Sequence, residues 1–364
     1  MKIGALRRSN TILVFAILIM AILYFGSSML IPLTFAIFFS TLILPITNLM
    51  EVKLGFGRLT SSFVSTLIVF IGLGAILFLM FYQVNIFLRE LLATQDVIVD
   101  FVKGLQDDIA ETTGFTLTQQ EQLLKESLKD VIDLTQMYLT GFLTNIFELI
   151  FQFLIILIYL FLLLLNRDKF VEFLMMYKKD EKKQETLDVI NKTSKIAHHY
   201  LWGRIKVMSL LAIMYFIVFT AYDLKYSGLL ILFGALITII PYLGPFLSGL
   251  FPIIVMLIFG DSTLEVVSFI SIVIVIQLIE SYVLEPAIIG AEVEQSPLFV
   301  IISVFLGGIL WGGAGLILFV PIFAILKIIF DNTKELRPVG YLMGYERKGS
   351  QENIFEKLIK KIKF

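Results

Sequence analysis

Two apolar stretches of about thirty-three residues each, at positions 227–259 and 297–330, constrain the fold of this chain more than any other feature. At about 1.5 Å per residue, an unbroken helix of that length would reach roughly 50 Å, well beyond the hydrocarbon thickness of about 30 Å. Each stretch is interrupted near its middle, the first by Pro241-Tyr242-Leu243-Gly244-Pro245 and the second by Gly307-Gly308 and Gly312-Gly313-Ala314-Gly315. We therefore predict two half-helices around an irregular turn in each stretch. Irregular backbone at membrane depth is tolerated only inside protein or along a polar cavity, so the pattern is typical of a transporter.

The composition independently indicates an integral membrane protein. Hydrophobic residues make up 58% of the chain, and 34 of its residues are Phe. The chain contains no Cys, which excludes disulfides, thiolate metal sites and cysteine nucleophiles. It also lacks a Gly-rich loop ending in Gly-Lys-Ser/Thr, which argues against direct ATP hydrolysis. We expect no enzymatic activity and no cofactor, and any driving force must come from a gradient.

The predicted fold is an all-α polytopic bundle of about eight transmembrane segments, two of them broken or re-entrant, with an extracytoplasmic helical insert. The unbroken spans are expected near positions 11–30, 31–50, 60–82, 142–165, 205–222 and 264–284. The sequence leaves open whether the two broken stretches cross the membrane or turn back within it. If both turn back, they enter from opposite faces, which suits alternating access.

Charge sets the expected topology and domain organisation. Residues 83–141 carry ten acidic residues against four basic ones, whereas residues 166–206 carry ten basic residues against six acidic ones. Because short cytoplasmic segments are enriched in Lys and Arg, we place both termini on the cytoplasmic side of the membrane. The predicted segments are spans 1–3 (1–82), an extracytoplasmic helical hairpin (83–141), span 4 (142–165), a basic cytoplasmic helical linker (166–204), the transport core (205–330) and a cytoplasmic amphipathic tail (331–364).

Glu280 is the strongest candidate for chemistry inside the membrane. Ionisable residues within spans are costly and usually face a cavity or a partner. Gln277 lies one turn earlier on the same helix face, so the two residues present a carboxylate and an amide together. The alternative is that Glu280 sits at the headgroup interface and is simply solvated. The adjacent His198 and His199 point about 100° apart and have no acidic cluster beside them, so no metal site is expected.

The two turns supply further candidates. Main-chain groups at Pro241, Gly244 and Pro245, with the Tyr242 hydroxyl, can bind a polar solute or an ion without a fixed charge. The glycines of the second turn can either gate the pathway or allow close helix packing. They are Gly307, Gly308, Gly312 and Gly315.

These motifs together resemble the autoinducer-2 exporter (AI-2E) family of bacterial permeases. The resemblance rests on the Pro-Tyr-Leu-Gly-Pro turn, the run Gln277 and Glu280-Ser281-Tyr282-Val283-Leu284-Glu285-Pro286 followed by Ile289-Gly290, and the glycine pattern around Trp311 with Val320-Pro321. It covers nearly the whole chain and adds Ser281 to the candidate pathway residues. It implies export of a small polar quorum-sensing signal or, as assigned to other members, Na⁺(Li⁺)/H⁺ antiport. It also implies a homo-oligomer such as a pentamer.

Three functions are therefore considered. The first is gradient-driven or facilitative export of a small polar organic solute, including the autoinducer-2 signal, with Glu280, Gln277 and Tyr242 contacting the solute. The second is cation/proton antiport through Glu280. The third is a membrane scaffold that displays its insert to partners, against which the broken helices argue.

Overall fold

The computed structural model describes residues 3–94, 97, 134, 136–138, 140, 141, 144–176, 183–289 and 295–344. Within these ranges the regular elements are helical, and most of the predicted insert (83–141) and the end of the predicted tail lie outside them. The elements are α1 (Ile3–Phe25), α2 (Ser27–Lys53), α3 (Arg58–Ala93), α4 (Ile146–Leu165), α5 (Arg167–Met176), α6 (Lys183–Ala221), α7 (Ser227–Ile237), α8 (Leu243–Phe259), α9 (Thr263–Ile279), a π turn (Glu280–Leu284), α10 (Glu285–Ile288), α11 (Pro297–Asp331) and α12 (Arg337–Met343).

By length and composition alone, six of the described helical segments could cross a membrane: Ser27–Lys53, Arg58–Glu90, Phe147–Leu165, Thr186–Ala221, Thr263–Ile288 and Pro297–Asp331. The last of these is not straight, because it reverses direction at Gly312. The six segments leave many large apolar side chains on the outer surface, such as Ile71, Phe151 and Ile217, each about 60% exposed or more. Exposure of this kind is favourable against lipid and unfavourable against water. The all-α polytopic membrane fold predicted from the sequence is therefore confirmed.

Two predicted segment boundaries do not coincide with helix ends among the described residues. Helices α1 and α2 are divided at Gly26, not at residues 30 and 31. Backbone hydrogen bonds continue through this residue, from Gly26 N to the Ile22 carbonyl and from Leu30 N to the Gly26 carbonyl. The change from polar to apolar sequence near Arg204 does not end a helix, since α6 runs unbroken through it to Ala221. Hydropathy marks where a helix enters the membrane, whereas helix ends need a breaking residue or a cap.

Helices α2, α3 and α4 form one packed unit. Thr47 Oγ1 and Ser65 Oγ, both fully buried, share a hydrogen bond of 2.7 Å between α2 and α3. Apolar packing of Ala36, Leu157 and Leu160 joins α4 to the same unit. Because α2 and α3 are joined by only four residues, 54–57, they run antiparallel, and the start of α2 lies at the same end of the molecule as the end of α3.

The opposite end of this unit is charged. Arg167 at the start of α5 donates to Glu51 of α2, and Ser61 Oγ also donates to Glu51 at 2.7 Å. Arg58 Nη1 lies 2.5 Å from Asp168 Oδ2, and this guanidinium holds the pKa of the Asp168 carboxyl below its usual range. The α2–α3 turn and the α4–α5 junction therefore belong to the same end of the molecule, here called the charged end.

The first broken stretch is an antiparallel helical hairpin made by α7 and α8. The rings of Phe233 and Phe251 meet at a centroid distance of 5.4 Å. A Cβ on Gly244 would overlap the backbone of Ile237, so the two helices approach closely at the turn. At the open end of the hairpin, Lys225 Nζ lies 5.0 Å from the Phe259 ring centroid. With 11 and 17 residues, α7 and α8 reach only about 17 and 26 Å, each less than a full span.

The second broken stretch is also a hairpin, although its two arms form one continuous element, α11. Gly312 has φ 57° and ψ −136°, a conformation that only glycine adopts readily. After this reversal the Gly315 backbone returns onto that of Gly307, eight residues earlier, with no room for a Cβ on either residue. Eight residues of straight helix would separate them by about 12 Å. The Trp311 and Phe319 rings, 5.2 Å apart, pack across the same fold.

The two hairpins point in opposite directions. The open end of the first lies beside the end of α3, where Tyr226 Oη and Thr94 Oγ1 are 2.7 Å apart. The tip of the second lies at that same end of the molecule, because Trp311 Nε1 donates to the Leu23 carbonyl of α1 at 2.8 Å. Ile240, at the tip of the first hairpin, packs in one cluster with Val304 and Val320 of the second. Both broken stretches therefore fold back on themselves, as two opposed hairpins.

Candidate functional site

Glu280 lies in the protein interior. Its side chain is fully buried, and neither carboxylate oxygen has a hydrogen-bond partner among the described residues. The carboxylate is therefore not simply solvated, as the headgroup-interface alternative would require. An unpaired charge in such a place is costly, so this packing accommodates the neutral carboxylic acid.

A polar cluster of Gln277, Tyr215 and Ser248 lies one helical turn before Glu280. Gln277 Nε2 donates to Tyr215 Oη at 2.8 Å and to Ser248 Oγ at 3.0 Å. Tyr215 Oη also donates to Ser248 Oγ, at 3.1 Å, and Ser248 Oγ donates to the Pro245 carbonyl. These contacts join α6, α8 and α9, and they leave Gln277 Oε1 buried with no partner among the described residues. The cluster therefore offers an acceptor to a ligand while its donors are used internally.

Small residues in the hairpin make room for this cluster. A Cβ on Gly249 would come within 3.1 Å of Gln277 Nε2, and one on Gly234 within 3.2 Å of the Tyr215 ring. The two turn prolines, Pro241 and Pro245, were part of the sequence signal for a broken helix. The glycines, by contrast, carry the packing that brings α7 and α8 against the buried hydroxyl and amide groups.

The turn of the first hairpin contributes backbone and does not direct its tyrosine into the cluster. Tyr242 has φ 64° and is 57% exposed, so its hydroxyl is not part of the polar cluster. Pro241 and Gly244 shape the turn, in which Leu243 N donates to the Pro241 carbonyl and Gly244 N to the Ile240 carbonyl, both at 2.8 Å. Ser281 is exposed as well, although it directly follows Glu280. The pathway roles predicted for these residues stay predictions.

The glycines of the second turn have unequal surroundings. Gly307 and Gly315 touch backbone to backbone, which is close packing. Gly308 would accept a Cβ only 3.0 Å from Leu316, whereas Gly312 and Gly313 have no neighbouring atom within 4 Å of a built Cβ. Gly312 therefore serves to reverse the chain, and the close contact within the hairpin is between Gly307 and Gly315.

Three residues of the site were not singled out from the sequence: Tyr215, Ser248 and Arg204. Tyr215 and Ser248 lie within long apolar runs, where one hydroxyl per run carries no local signal. Arg204 forms an ion pair with Glu285 at 2.5 Å and is 4% exposed at its side chain, between the polar cluster and the charged end. Arg204 directly precedes the predicted span at 205–222. A basic residue in that position is ordinarily an interfacial anchor, so the sequence offered no reason to place it in the site.

No group of three or more potential metal ligands occurs in the described part of the chain. His198 Nδ1 lies 3.1 Å from the Thr41 carbonyl, and Trp202 Nε1 donates to the Leu42 carbonyl at 3.0 Å. These contacts give His198 a structural explanation, because they hold α6 against α2.

Comparison with known proteins identifies a family and several relatives that are similar to this chain in sequence. A family model described as "AI-2E family transporter" matches residues 13–335, a range that includes both hairpins and the polar cluster. The chain is 24% identical over 324 residues to "Putative transport protein YueF" of Bacillus subtilis (strain 168), covering 86% of each protein. It is 25% identical over 160 residues to "AI-2 transport protein TqsA" of Escherichia coli (strain K12), covering 44% of this chain and 46% of that protein.

Proposed function

Since this chain belongs to the AI-2E family of transporters, we propose that it exports a small polar organic solute across a bacterial cytoplasmic membrane. The autoinducer-2 signal is the first candidate, because a relative is named for AI-2 transport. Export is gradient-driven or facilitative, in keeping with the lack of a nucleotide-binding motif in the sequence.

The observation that carries this proposal is the pair of opposed hairpins beside a buried polar cluster. When two hairpins enter from opposite ends, each one can separate a central site from one side of the membrane. Alternating access requires such a barrier on each side. The tip of the first hairpin contacts the arms of the second through Ile240 and Val320. A shift of one hairpin against the other would therefore open the site on one side at a time.

Gln277 and Glu280 are the groups proposed to contact the solute. Gln277 Oε1 is a free acceptor, and a protonated Glu280 provides both a donor and an acceptor. A polyhydroxylated solute matches this set, because each of its hydroxyl groups can donate and accept. An apolar solute would leave these buried groups unpaired at a cost of about 1–3 kcal/mol for each.

Flux through proteoliposomes tests this function. Vesicles loaded with autoinducer-2 or another small polyol should release it faster when they contain the wild-type protein, and Glu280→Gln and Gln277→Leu should lower the rate at least tenfold. The matched control is Glu148→Gln, because Glu148 is exposed near the start of α4. Equal release from protein-free and wild-type vesicles for every polar solute would contradict the proposal.

Cation/proton antiport is the second candidate function. The specific observation in its favour is Glu280, a buried carboxyl without a hydrogen-bond partner, because exchange of a proton for a cation needs a carboxyl of this kind. Addition of Na⁺ or Li⁺ to everted vesicles with an established proton gradient should then change the internal pH. Loss of that signal in Glu280→Gln would support antiport, and its absence from the wild type would remove this candidate.

We further propose that the charged end faces the cytoplasm and that the protein forms a homo-oligomer such as a pentamer. Arg58 and Arg167 both lie at the charged end, and short cytoplasmic segments are enriched in such residues. Both termini would then be cytoplasmic. Mass measurement of the protein in lipid nanodiscs tests the oligomeric state.

A further inference from the structure

Arg204 has an unused hydrogen-bonding edge beside the candidate site. Its side chain is 4% exposed, and Nη1 donates to Glu285 Oε1 at 2.5 Å. Its Nε is buried and has no hydrogen-bond partner among the described residues. A guanidinium carries five N–H donors in one plane, and a buried donor without an acceptor is unfavourable. One edge of Arg204 is therefore available to a second acceptor.

Glu280 is the complementary group. Both of its carboxylate oxygens are buried without a partner, and its side chain is fully enclosed. Arg204 and Glu285 are the charged groups whose electrostatic influence reaches it. The unpaired donor, Arg204 Nε, and the unpaired acceptors, the two carboxylate oxygens of Glu280, thus belong to residues that interact electrostatically. Glu280 lies in the continuous segment from α9 to α10, here called the α9–α10 segment (Thr263–Ile288).

The π turn at Glu280–Leu284 lies between Glu280 and Glu285, the carboxylate that pairs with Arg204. The backbone N–H of Glu285 bonds to the carbonyl of Glu280, five residues earlier. In a regular α-helix, side chains five residues apart point about 140° apart, so only one of the two could face α6. A π turn contains more residues per turn and brings positions five apart closer to alignment. Single π turns occur frequently at functional sites.

We propose that Arg204 is a shared counter-ion of the transport site, which pairs with Glu285 while Glu280 is protonated and turns its free edge to Glu280 when that carboxyl loses its proton. The proton passes to water on the side to which the site is open. This inference deepens the proposed function, on which it rests for its role in transport. It links the protonation of Glu280 to the contact between α6 and the α9–α10 segment, and so to the position of the helices around the solute.

The groups that interact electrostatically with Glu280 are Glu285, Arg204 and Tyr215. Tyr200 interacts with Arg204, and Tyr242 interacts with Glu285. His198, His199 and Lys206 lie near Arg204 in the sequence of α6, and Tyr282 lies in the π turn. Tyrosine and arginine side chains ordinarily lose their protons only at about pH 10 and above. A titration step that is lost in Glu280→Gln and that depends on Arg204 reports on this pair.

Infrared titration of the full-length protein in lipid nanodiscs tests the inference. The band of the protonated Glu280 carboxyl is assigned by its loss in Glu280→Gln, and its midpoint is then measured in variants. Arg204→Gln should move the midpoint to higher pH by about one unit or more, because a nearby positive charge favours the ionised carboxyl. Arg204→Lys should restore part of the shift. Glu285→Gln should move the midpoint to lower pH, because it frees Arg204 for Glu280.

Arg167→Gln is the matched control, since Arg167 is a cation paired with a different carboxylate, Glu51. It should leave the midpoint unchanged. A midpoint that is the same in the wild type, Arg204→Lys and Glu285→Gln would overturn the inference, even if Arg204→Gln fails to fold. The titration can be measured without solute flux, so the two proposals fail separately. If the protein transports a solute but the Glu280 midpoint does not change in the Arg204 and Glu285 variants, only the shared counter-ion is refuted. If the midpoint changes as expected but no solute or cation is transported, only the proposed function is refuted.

Discussion

Replacement of Gly315 by Ala tests whether the second broken stretch folds back on itself. A Cβ at Gly315 would overlap the carbonyl group of Gly307, and in a straight helix these residues would not meet. The two arms must therefore separate by more than about 1 Å before a methyl group fits, and a gap of that size forfeits a quarter to a half of the dispersion energy between the facing surfaces. The contact between Trp311 and Phe319 lies in the affected region.

The expected magnitude follows from two opposing effects. Overpacking of a tight contact costs about 1–3 kcal/mol, and loss of contacts between the arms adds to this. The higher helix propensity of Ala returns about 1 kcal/mol. We expect Gly315→Ala to lower the free energy of unfolding by about 2 kcal/mol. Gly313→Ala is the control, because a Cβ at Gly313 meets no atom within 4 Å, and it should be neutral or slightly stabilising.

Unfolding of both variants by SDS in mixed micelles, followed by tryptophan fluorescence, measures the difference. The chain has two Trp residues, and Trp311 lies at the tip of the affected hairpin. If Gly315→Ala is as stable as Gly313→Ala, the two arms do not touch and the reasoning is refuted. A loss confined to Gly315→Ala supports the hairpin.

Two further predictions concern polar contacts between helices. Gln277→Leu should lower the free energy of unfolding by about 1–2 kcal/mol in the same assay, because the buried Tyr215 hydroxyl loses a hydrogen bond, and an unchanged stability would contradict the described cluster. Glu51→Gln should cost about 1–2 kcal/mol, because it weakens the half-buried contact with Arg167. Its effect should be much smaller in an Arg167→Gln background, where only the contact with Ser61 remains, as measured by a double-mutant cycle. Equal effects of Glu51→Gln in both backgrounds would show that the two residues do not interact.

Much of the fold could be predicted from hydrophobicity and from the positions of Pro and Gly. The length of the two apolar stretches requires a break, and Pro241, Gly244 and Gly312 lie where the breaks occur. The direction of the chain after each break could not be predicted, because a helix-breaking residue permits either a continued crossing or a return. The return is set by contacts distant in sequence, such as that of Gly307 with Gly315.

The candidate site was predictable only where charge or spacing stood out. Glu280 and Gln277 were found because a carboxyl and an amide one turn apart are unusual in an apolar span. Tyr215 and Ser248 lie on other helices, and their meeting with Gln277 depends on tertiary packing. Tyr242 was chosen as the tyrosine of the turn, but its backbone conformation directs it outward. The π turn at Glu280 also has no signature in the sequence.

Sided labelling of single cysteines tests the opposed hairpins most directly, since the chain has no native Cys. Cysteines at Lys225 and Asp261 flank the first hairpin, and cysteines at Ser296 and Thr333 flank the second. In oriented membranes, an impermeant thiol reagent should reach the first pair from one side only and the second pair from the other side only. If the two members of either pair react from opposite sides, that stretch crosses the membrane, and the account of two opposed hairpins around Glu280 is wrong.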